Sequence, residues 1–439
     1  MSASERIRFY AATDVGSKRD HNEDNFLVDK KLGLFMVADG MGGHAAGEVA
    51  SAMAVRTVHE EIKRERSLLD DYAAMASGAN RVSAKDIQVL CEHAVQLACS
   101  KIHDAAAENP QMRGMGTTLS ALLVVGHQGF IAHVGDSRIY LLRQGRIEQV
   151  TEDHTVYQEL IKRGKLTLEQ IEKVAQKNAI TRAVGVYERV EMDPLVVEVL
   201  PEDTFLLASD GLTGYLESAN ELRGHLELEG DLAVKSLIKL ALDRGGRDNV
   251  TAVVVRIGGG ETSEGLTRAK RLATTRAVLA KMPIFAKLTD RELLRVMQAF
   301  QVRECEDGQV VIREGDRGDE LFVVLDGQLR VTRGDATLAH LGPGQHVGEM
   351  ALIRSALRSA TVTAVGHTAL IGIRRPDFFE ILRGEHEIAV KMLWQFLTEL
   401  AQRLEQTSNE LQDARRELAA EDVTSDIFPD DGNVRFPPN

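Results

Sequence analysis

Aromatic side chains are scarce in this chain: they make up 5% of its 439 residues, with a single tryptophan, Trp394. Cysteine is scarcer still, and Cys91, Cys99 and Cys305 fall at no metal-like or redox-like spacing, which argues against a disulfide framework. No run approaches the roughly 18 apolar residues that span a bilayer. The opening residues, MSASERIRFY, hold no apolar core of signal-peptide length. Positive charge is in deficit: 53 Lys and Arg against 66 Asp and Glu leave a formal charge of −13. That balance disfavours nucleic acid and the membrane surface as partners. The expectation is a cytoplasmic protein. Hydrophobic residues reach 44% and charged ones 27%, the profile of packed cores in about two or three domains.

From residue 6 to 257, short apolar runs alternate with helical stretches. Strands are expected at LFMVA (34–38), TLSALLVV (118–125), FIAHV (130–134), RIYLLR (138–143), TFLLAS (204–209) and NVTAVVVRI (249–257). Within 90–106, Leu90, Ala94, Leu97, Ala98, Ile102 and Ala105 recur at helical spacing. The segment 63–88 is polar and unpatterned and reads as a loop. GGGETSEG (258–265) reads as a flexible linker after a strong strand. A second domain is expected over 266–386, with Thr289 capping a short helix and a β-rich stretch over 302–373. Over 387–420 the residues Val390, Leu393, Leu397, Leu400, Leu404, Leu411, Ala414 and Leu418 form a heptad broken at Thr407. Such a seam predicts a coiled coil and a homodimer beyond about residue 400; the alternative is a helix packed on its own domain. The acidic tail, 421–439, is expected to be disordered.

Four aspartates stand where strands stop or start: Asp39 after LFMVA, Asp136 after FIAHVG, Asp210 after TFLLAS, and Asp248 before NVTAVVVRI. Singly, each Asp-Gly or Gly-Asp pair is above all a turn signal. Together, they can converge, because neighbouring strands bring their ends to one place. Carboxylates sharing a cleft raise one another's pKa unless cations neutralise them, and all-oxygen ligands suit Mg²⁺ or Mn²⁺. Two such ions can lower the pKa of a shared water and aim it at phosphorus. Arg19, four residues before Glu23 in RDHNED, offers a guanidinium for phosphate.

At this point the sequence resembles the metal-dependent protein phosphatases of type 2C, the PPM family. The likeness covers residues 6–257 and runs through RDHNED (19–24), VADGMGGH (37–44), GTT (116–118), GDSR (135–138), TEDHT (151–155), NAITRAVG (178–185), ASDGL (208–212) and RDNVT (247–251). The resemblance implies an α+β fold, an α-β-β-α sandwich with its metals at one edge. It implies that Asp39 bridges two Mn²⁺ or Mg²⁺ ions, that the Gly40 carbonyl ligates one, and that Asp210 and Asp248 ligate the other. Glu23 and Asp24 would act on metal-bound waters, Asp136 and Asp210 would share a third, weaker ion, and Arg19 would grip the phosphate. A bridging hydroxide would then hydrolyse phosphoserine or phosphothreonine in proteins, with a cognate Ser/Thr kinase system as counterpart. Met41 follows Gly40, as in bacterial members, so the general acid stays open between His44, a metal-bound water and no dedicated group. Residues 151–185 correspond to the family's mobile flap.

The β-rich stretch holds HVGEMALIRSALRSATVTA, with Glu349 and Arg358 nine residues apart. Arginine suits a cyclic phosphate and a carboxylate suits a ribose hydroxyl, although a surface Arg–Glu pair has the same look. With GDELFVVLDGQLRV and LGPGQHVGE around it, the stretch is similar to cyclic-nucleotide-binding domains, a β-roll followed by a lid helix. That similarity implies that Glu349 holds the ribose and Arg358 the phosphate of cAMP or cGMP, with Gly348, Met350, Ala351 and Ser359 in further contacts. Val347 and Leu357 replace the usual phenylalanine and proline. The expected function is phosphatase activity regulated by a cyclic nucleotide. The alternative is a nucleotide-binding signalling adaptor with a weak or inactive phosphatase domain; a DNA-binding regulator is disfavoured by the lack of a helix-turn-helix after the last helix.

Overall fold

The computed structural model describes residues 6–42, 46–74, 82–162, 170, 179–259, 263–353 and 356–427. The chain divides between Ala273 and Thr274 into two compact units.

The first unit contains strands β1 (Ile7–Asp14), β2 (Asp24–Asp29), β3 (Leu34–Met41), β4 (Gly116–Thr117), β5 (Leu119–Val125), β6 (Gln128–Val134), β7 (Arg138–Arg143), β8 (Arg146–Gln149), β9 (Asp193–Glu198), β10 (Thr204–Ala208) and β11 (Val250–Ile257). They form two antiparallel sheets, ordered β1-β11-β10-β7-β8 and β2-β3-β5-β6-β9, with β4 added to β3. Side chains alternate between the faces of a strand, and here both faces are covered. In β3, Phe35 and Val37 enter a core between the sheets with Ile131, Ile139, Phe205, Leu207 and Val253. Leu34, Met36 and Ala38 enter the opposite core, shared with helices α1 (Ala46–Arg64), α2 (Arg66–Ala73) and α3 (Ala84–Glu108). After α4 (Val156–Lys162), α5 (Asp210–Thr213) and α6 (Leu222–Leu226) comes α7 (Leu232–Asp243), which covers the outer face of β7, β10 and β11 through Leu237, Ala241, Leu206 and Val254. The layers are helix, sheet, sheet, helix, as the resemblance implied.

The sequence reading missed β1, β2, β8 and β9. Each is only partly buried, so polar residues break its apolar run. β5, the run LSALLVV, is buried along its whole length and stood out. The loop expected over 63–88 is corrected: it contains α2 and the start of α3, where the Ser83 N–H donates to Asp86 Oδ2 at 2.7 Å. Residues 75–81 lie outside the described residues.

In the second unit the described elements are α8 (Ser263–Lys281, which begins before the division), α9 (Asp290–Met297), β12 (Gln301–Cys305), β13 (Val310–Ile312), β14 (Arg317–Gly318), β15 (Glu320–Arg333), β16 (Ala336–Leu341), β17 (His346–Val347), α10 (Met350–Ile353), β18 (Ala356–Leu357), β19 (Thr361–Arg374), α11 (Arg375–Gly384) and α12 (His386–Ile427). The sheet runs β12-β19-β15-β16, with β13 on β19 and β17 on β15, while β14 pairs with β18. Leu321, Val323, Ile371 and Ile373 pack against Phe285, Phe378 and Met392. Thr289 caps α9 as expected, accepting from the Glu292 N–H at 3.3 Å while Glu292 accepts from the Thr289 N–H at 2.7 Å. Two boundaries are corrected. Helix α8 starts inside the expected linker, at Ser263, and α12 continues through 421–427, which were assigned to the tail. No glycine or proline interrupts that stretch until Pro429.

Candidate active site

The strand ends do converge. Asp24 opens β2 and faces Asp39 across the β2–β3 ladder. Asp210 opens α5 directly after β10, Asp136 sits in the turn from β6 to β7, and Asp248 precedes β11. Asp39 and Asp210 are close enough to shift each other's titration, and the charges of Asp24, Asp210 and Asp136 all act on Asp39. Asp248 acts on Asp24 and Asp210. Arg19 closes the group: its Nη2 donates to Asp248 Oδ2 at 2.7 Å, and its Nη1 lies 3.8 Å from Glu23 Oε2. His44 lies outside the described residues.

Hydroxyls and one amide hold the carboxylates in place. Asp24 Oδ2 accepts from Ser209 Oγ at 2.8 Å and from Thr251 Oγ1 at 2.7 Å. The Asp39 N–H donates to Thr118 Oγ1, and the Asp39 carbonyl accepts from the Thr118 N–H and Thr117 Oγ1, each at 2.9 Å. Thr118 Oγ1 in turn meets Ser137 Oγ at 2.8 Å. Asn249 accepts from the Glu23 N–H at 2.8 Å and donates to the Val15 and His21 carbonyls, both at 2.9 Å. The backbone must come close here: a Cβ on Gly40 would meet the Gly47 carbonyl oxygen at 2.1 Å. Thr118, Ser137, Ser209, Asn249 and Thr251 were given no role from the sequence, although each stands within three residues of an acid in the cluster or inside one of the quoted blocks.

Burial makes this cluster costly when charged. It pushes Asp24 up to about 7, with Asp210 and Asp248 adding to the rise, and Asp136 also up to about 7, with Asp210 and Asp153 adding to it. Asp39 is held well above the ordinary carboxylate value by burial and then by its acidic neighbours, and burial raises Asp210 too. Asp24 Oδ1 and Asp136 Oδ1 are buried without a hydrogen-bond partner. Orphaned carboxylate oxygens in a crowd of acids are the donor set a hard cation takes. Among the described residues no three His, Cys, Asp or Glu side chains already surround one point, so the fit rests on proximity and chemistry.

In the second unit Gly348 has φ +88°, and Met350 and Ala351 open α10. Arg358 follows β18; it is half-buried, and its Nη2 donates to the Glu320 carbonyl at 2.8 Å. A Cβ on Gly348 would lie 2.5 Å from Arg358 Nη1, so the glycine lets the guanidinium lie over the chain. Burial lowers the Arg358 pKa, against the charges of Glu320, Asp319 and Glu349. Ser359 offers its carbonyl to Arg333 Nε at 2.9 Å. Glu349 and Met350 line a small hollow open to solvent, with Leu321, His346, Phe396 and Leu400.

Comparison with known proteins agrees with the two domains expected from the sequence. Residues 16–236 match the protein phosphatase 2C family model, and residues 302–385 match the cyclic nucleotide-binding domain model. The chain is 39% identical over 248 residues to the serine/threonine phosphatase stp of Listeria innocua, covering 55% of this chain and 93% of that protein. It is 36% identical to the protein phosphatase PhpP of Streptococcus pneumoniae, over 55% of this chain and 94% of that one. The solved structure of the S. agalactiae serine/threonine phosphatase is 34% identical, with a TM-score of 0.50, over 57% of this chain and 99% of that one.

Proposed function

We propose that this chain, which belongs to the protein phosphatase 2C family and carries a cyclic nucleotide-binding domain C-terminal to its catalytic unit, is a metal-dependent protein serine/threonine phosphatase that responds to a cyclic nucleotide. The convergence of Asp24, Asp39, Asp136 and Asp210, with two buried carboxylate oxygens left unpartnered, carries the metal-dependent part. Mn²⁺ or Mg²⁺ held by Asp39, the Gly40 carbonyl, Asp210 and Asp248, with a third ion at Asp136 and Asp210, would supply Lewis-acid charge that polarises a phosphoryl oxygen and acidifies water. Arg19, half exposed beside Asp248, presents donors that match phosphate oxygens. Glu23 and Asp24 border the cluster and would orient water there. The substrates are phosphoseryl and phosphothreonyl proteins, with a Ser/Thr kinase system as the expected counterpart. Phosphate release from a phosphothreonyl peptide, titrated with Mn²⁺ after EDTA treatment, tests this; release independent of the metal would overturn it.

Arg358 beside Gly348, with the Glu349 carboxylate acting on it, supports the nucleotide reading. A cyclic nucleotide shifts phosphatase activity only through different affinities for two states of the chain. Calorimetry with cAMP, cGMP and cyclic di-GMP, paired with hydrolysis rates at saturation, tests it. Binding without a rate change would remove the regulatory part.

The expected homodimer gains support from α12. Val390, Leu393, Leu397, Leu404 and Leu411 are each more than half exposed along one seam. In a parallel pair, Glu410 and Arg415 fall at flanking positions of opposite charge, which favours a second copy of this chain as occupant. Sedimentation of the chain and a Leu397→Asp, Leu404→Asp variant tests it; a wild type that sediments as a monomer at micromolar concentration would end the reading.

A further inference from the structure

His154 is 4% exposed, and its ring contacts are fully specified. Its backbone N–H donates to the Gly135 carbonyl at 2.8 Å, and its Nδ1 accepts from the Gly135 N–H at 3.1 Å. One histidine therefore satisfies both backbone polar groups of Gly135, the residue before Asp136. Gly135 needs such a clamp. Its φ is +105°, and a Cβ there would meet Thr118 Cγ2 at 2.6 Å, so the turn is open to glycine alone and has no side chain to fix it.

An Nδ1 that accepts puts the imidazole proton on Nε2. Nε2 faces Asp193 Oδ2 at 3.4 Å, and Arg182 Nη1 donates to the other oxygen, Asp193 Oδ1, at 2.9 Å while lying 3.4 Å from Nε2. Behind the ring stands His133, with centroids 4.9 Å apart, itself held by Ser120 Oγ and the Glu152 carbonyl, each at 2.9 Å. The imidazole is held in one orientation, backed from a strand end that does not carry a carboxylate of the cluster.

We infer that His154 is a positioning residue: with Arg182 and Asp193 behind it, it clamps Gly135 and so fixes the buried Asp136 carboxylate where it serves the weakest of the cation positions. This rests on the reading of Asp136 as a cation ligand. The chain segment closed by His154 also returns to it, since the Thr181 N–H donates to the His154 carbonyl at 2.7 Å. The same residue thus ties Thr181, through its backbone carbonyl, to the turn that bears Asp136.

The test uses Mn²⁺ as the probe and the full chain, with binding followed by the electron paramagnetic resonance of free Mn²⁺ and activation followed separately. Asp136→Asn establishes whether the weakest Mn²⁺ belongs to Asp136. His154→Leu is expected to weaken that same Mn²⁺ by about tenfold or more, and to raise the Mn²⁺ needed for half-maximal activity to match, while tighter binding is unchanged. His154→Asn carries its carbonyl oxygen where Nδ1 stands and is expected to restore wild-type Mn²⁺ binding; His154→Gln places its polar end near Nε2 and is not. If Leu fails to fold, the Asn and Gln variants still decide, because equal Mn²⁺ affinity in both overturns the clamp. A shift in Asp136→Asn with none in His154→Leu overturns the role of His154 alone. No shift in Asp136→Asn overturns the Asp136 reading, and the inference with it.

Discussion

Asp24 and Asp39 stand opposite each other on β2 and β3, two carboxylates in register with their pKa values driven upward together. Like charges directly across a ladder destabilise a sheet, so the pairing costs stability unless protons or cations sit between them. Asp39→Asn removes one charge at constant shape. It is expected to keep or raise the melting temperature of the EDTA-treated protein, and to cut Mn²⁺-dependent phosphate release by on the order of 100-fold or more. Thermal melts and peptide assays on the same preparation separate the two effects. Wild-type activity in this variant would mean that the cluster is not the reaction centre.

The raised acids also set a pH dependence for the metal-free protein. A carboxyl whose folded pKa lies above its unfolded value stabilises the fold below the unfolded value, and that contribution is lost as pH rises through the folded pKa. For Asp136 this window runs from its ordinary 3.8 to about 7, and the full difference corresponds to up to roughly 4 kcal/mol. In EDTA, Asp136→Asn should therefore gain in melting temperature relative to wild type between pH 5 and about pH 8. Saturating Mn²⁺ should erase the gain, because the cation replaces the proton. A difference that does not change with pH in EDTA would show that Asp136 is not the group responsible.

Much of this site was legible from the order of the sequence blocks, and the physical reason lies in the sheets. Asp39, Asp136, Asp210 and Asp248 flank strands buried on both faces, and such strands announce themselves as unbroken apolar runs. Asp24 was not recognised as standing at a strand end, because β2 is half-buried and its pattern is mixed. The supporting hydroxyls of Thr118, Ser209 and Thr251 were hidden, since a serine or threonine beside an aspartate reads as turn chemistry until the fold shows what it faces. His154 was quoted only as part of TEDHT. Its partner Gly135 is 19 residues away and its backing carboxylate, Asp193, is 39 away, so no local pattern could join them.

In the second unit, Gly348 offers a narrow test of the nucleotide site. A methyl group there would meet Arg358 Nη1 at 2.5 Å and the Glu320 carbonyl at 2.7 Å, on a backbone with φ +88° that side chains rarely adopt. Gly348→Ala is expected to displace the Arg358 guanidinium and weaken cyclic-nucleotide binding by about tenfold or more, as an imperfect Arg–phosphate contact does. Basal Mn²⁺-dependent hydrolysis should stay at the wild-type rate, which separates this variant from a folding defect. Unchanged calorimetric affinity would show that Arg358 does not bind the ligand phosphate.

A last prediction concerns an ion pair at the end of β7 remote from Asp136. Arg143 grips Asp203 through two bonds, Nε to Oδ1 at 2.8 Å and Nη2 to Oδ2 at 2.6 Å, and Asp203 is 1% exposed. Burial still raises the Asp203 pKa, so the pairing does not fully repay the desolvation of the carboxylate. Arg143→Met keeps the aliphatic stem and leaves the Asp203 carboxylate with the Leu200 N–H, 2.8 Å away, as its remaining donor among the described residues. The loss should be about 3–5 kcal/mol near neutral pH. Because the stranded carboxyl is raised further, the loss should shrink as pH falls toward the ordinary Asp value, where a neutral Asp203 no longer needs the cation. Urea melts of both proteins at pH 5 and pH 8 measure the difference, and a penalty independent of pH would mean that Arg143 stabilises by packing rather than by charge.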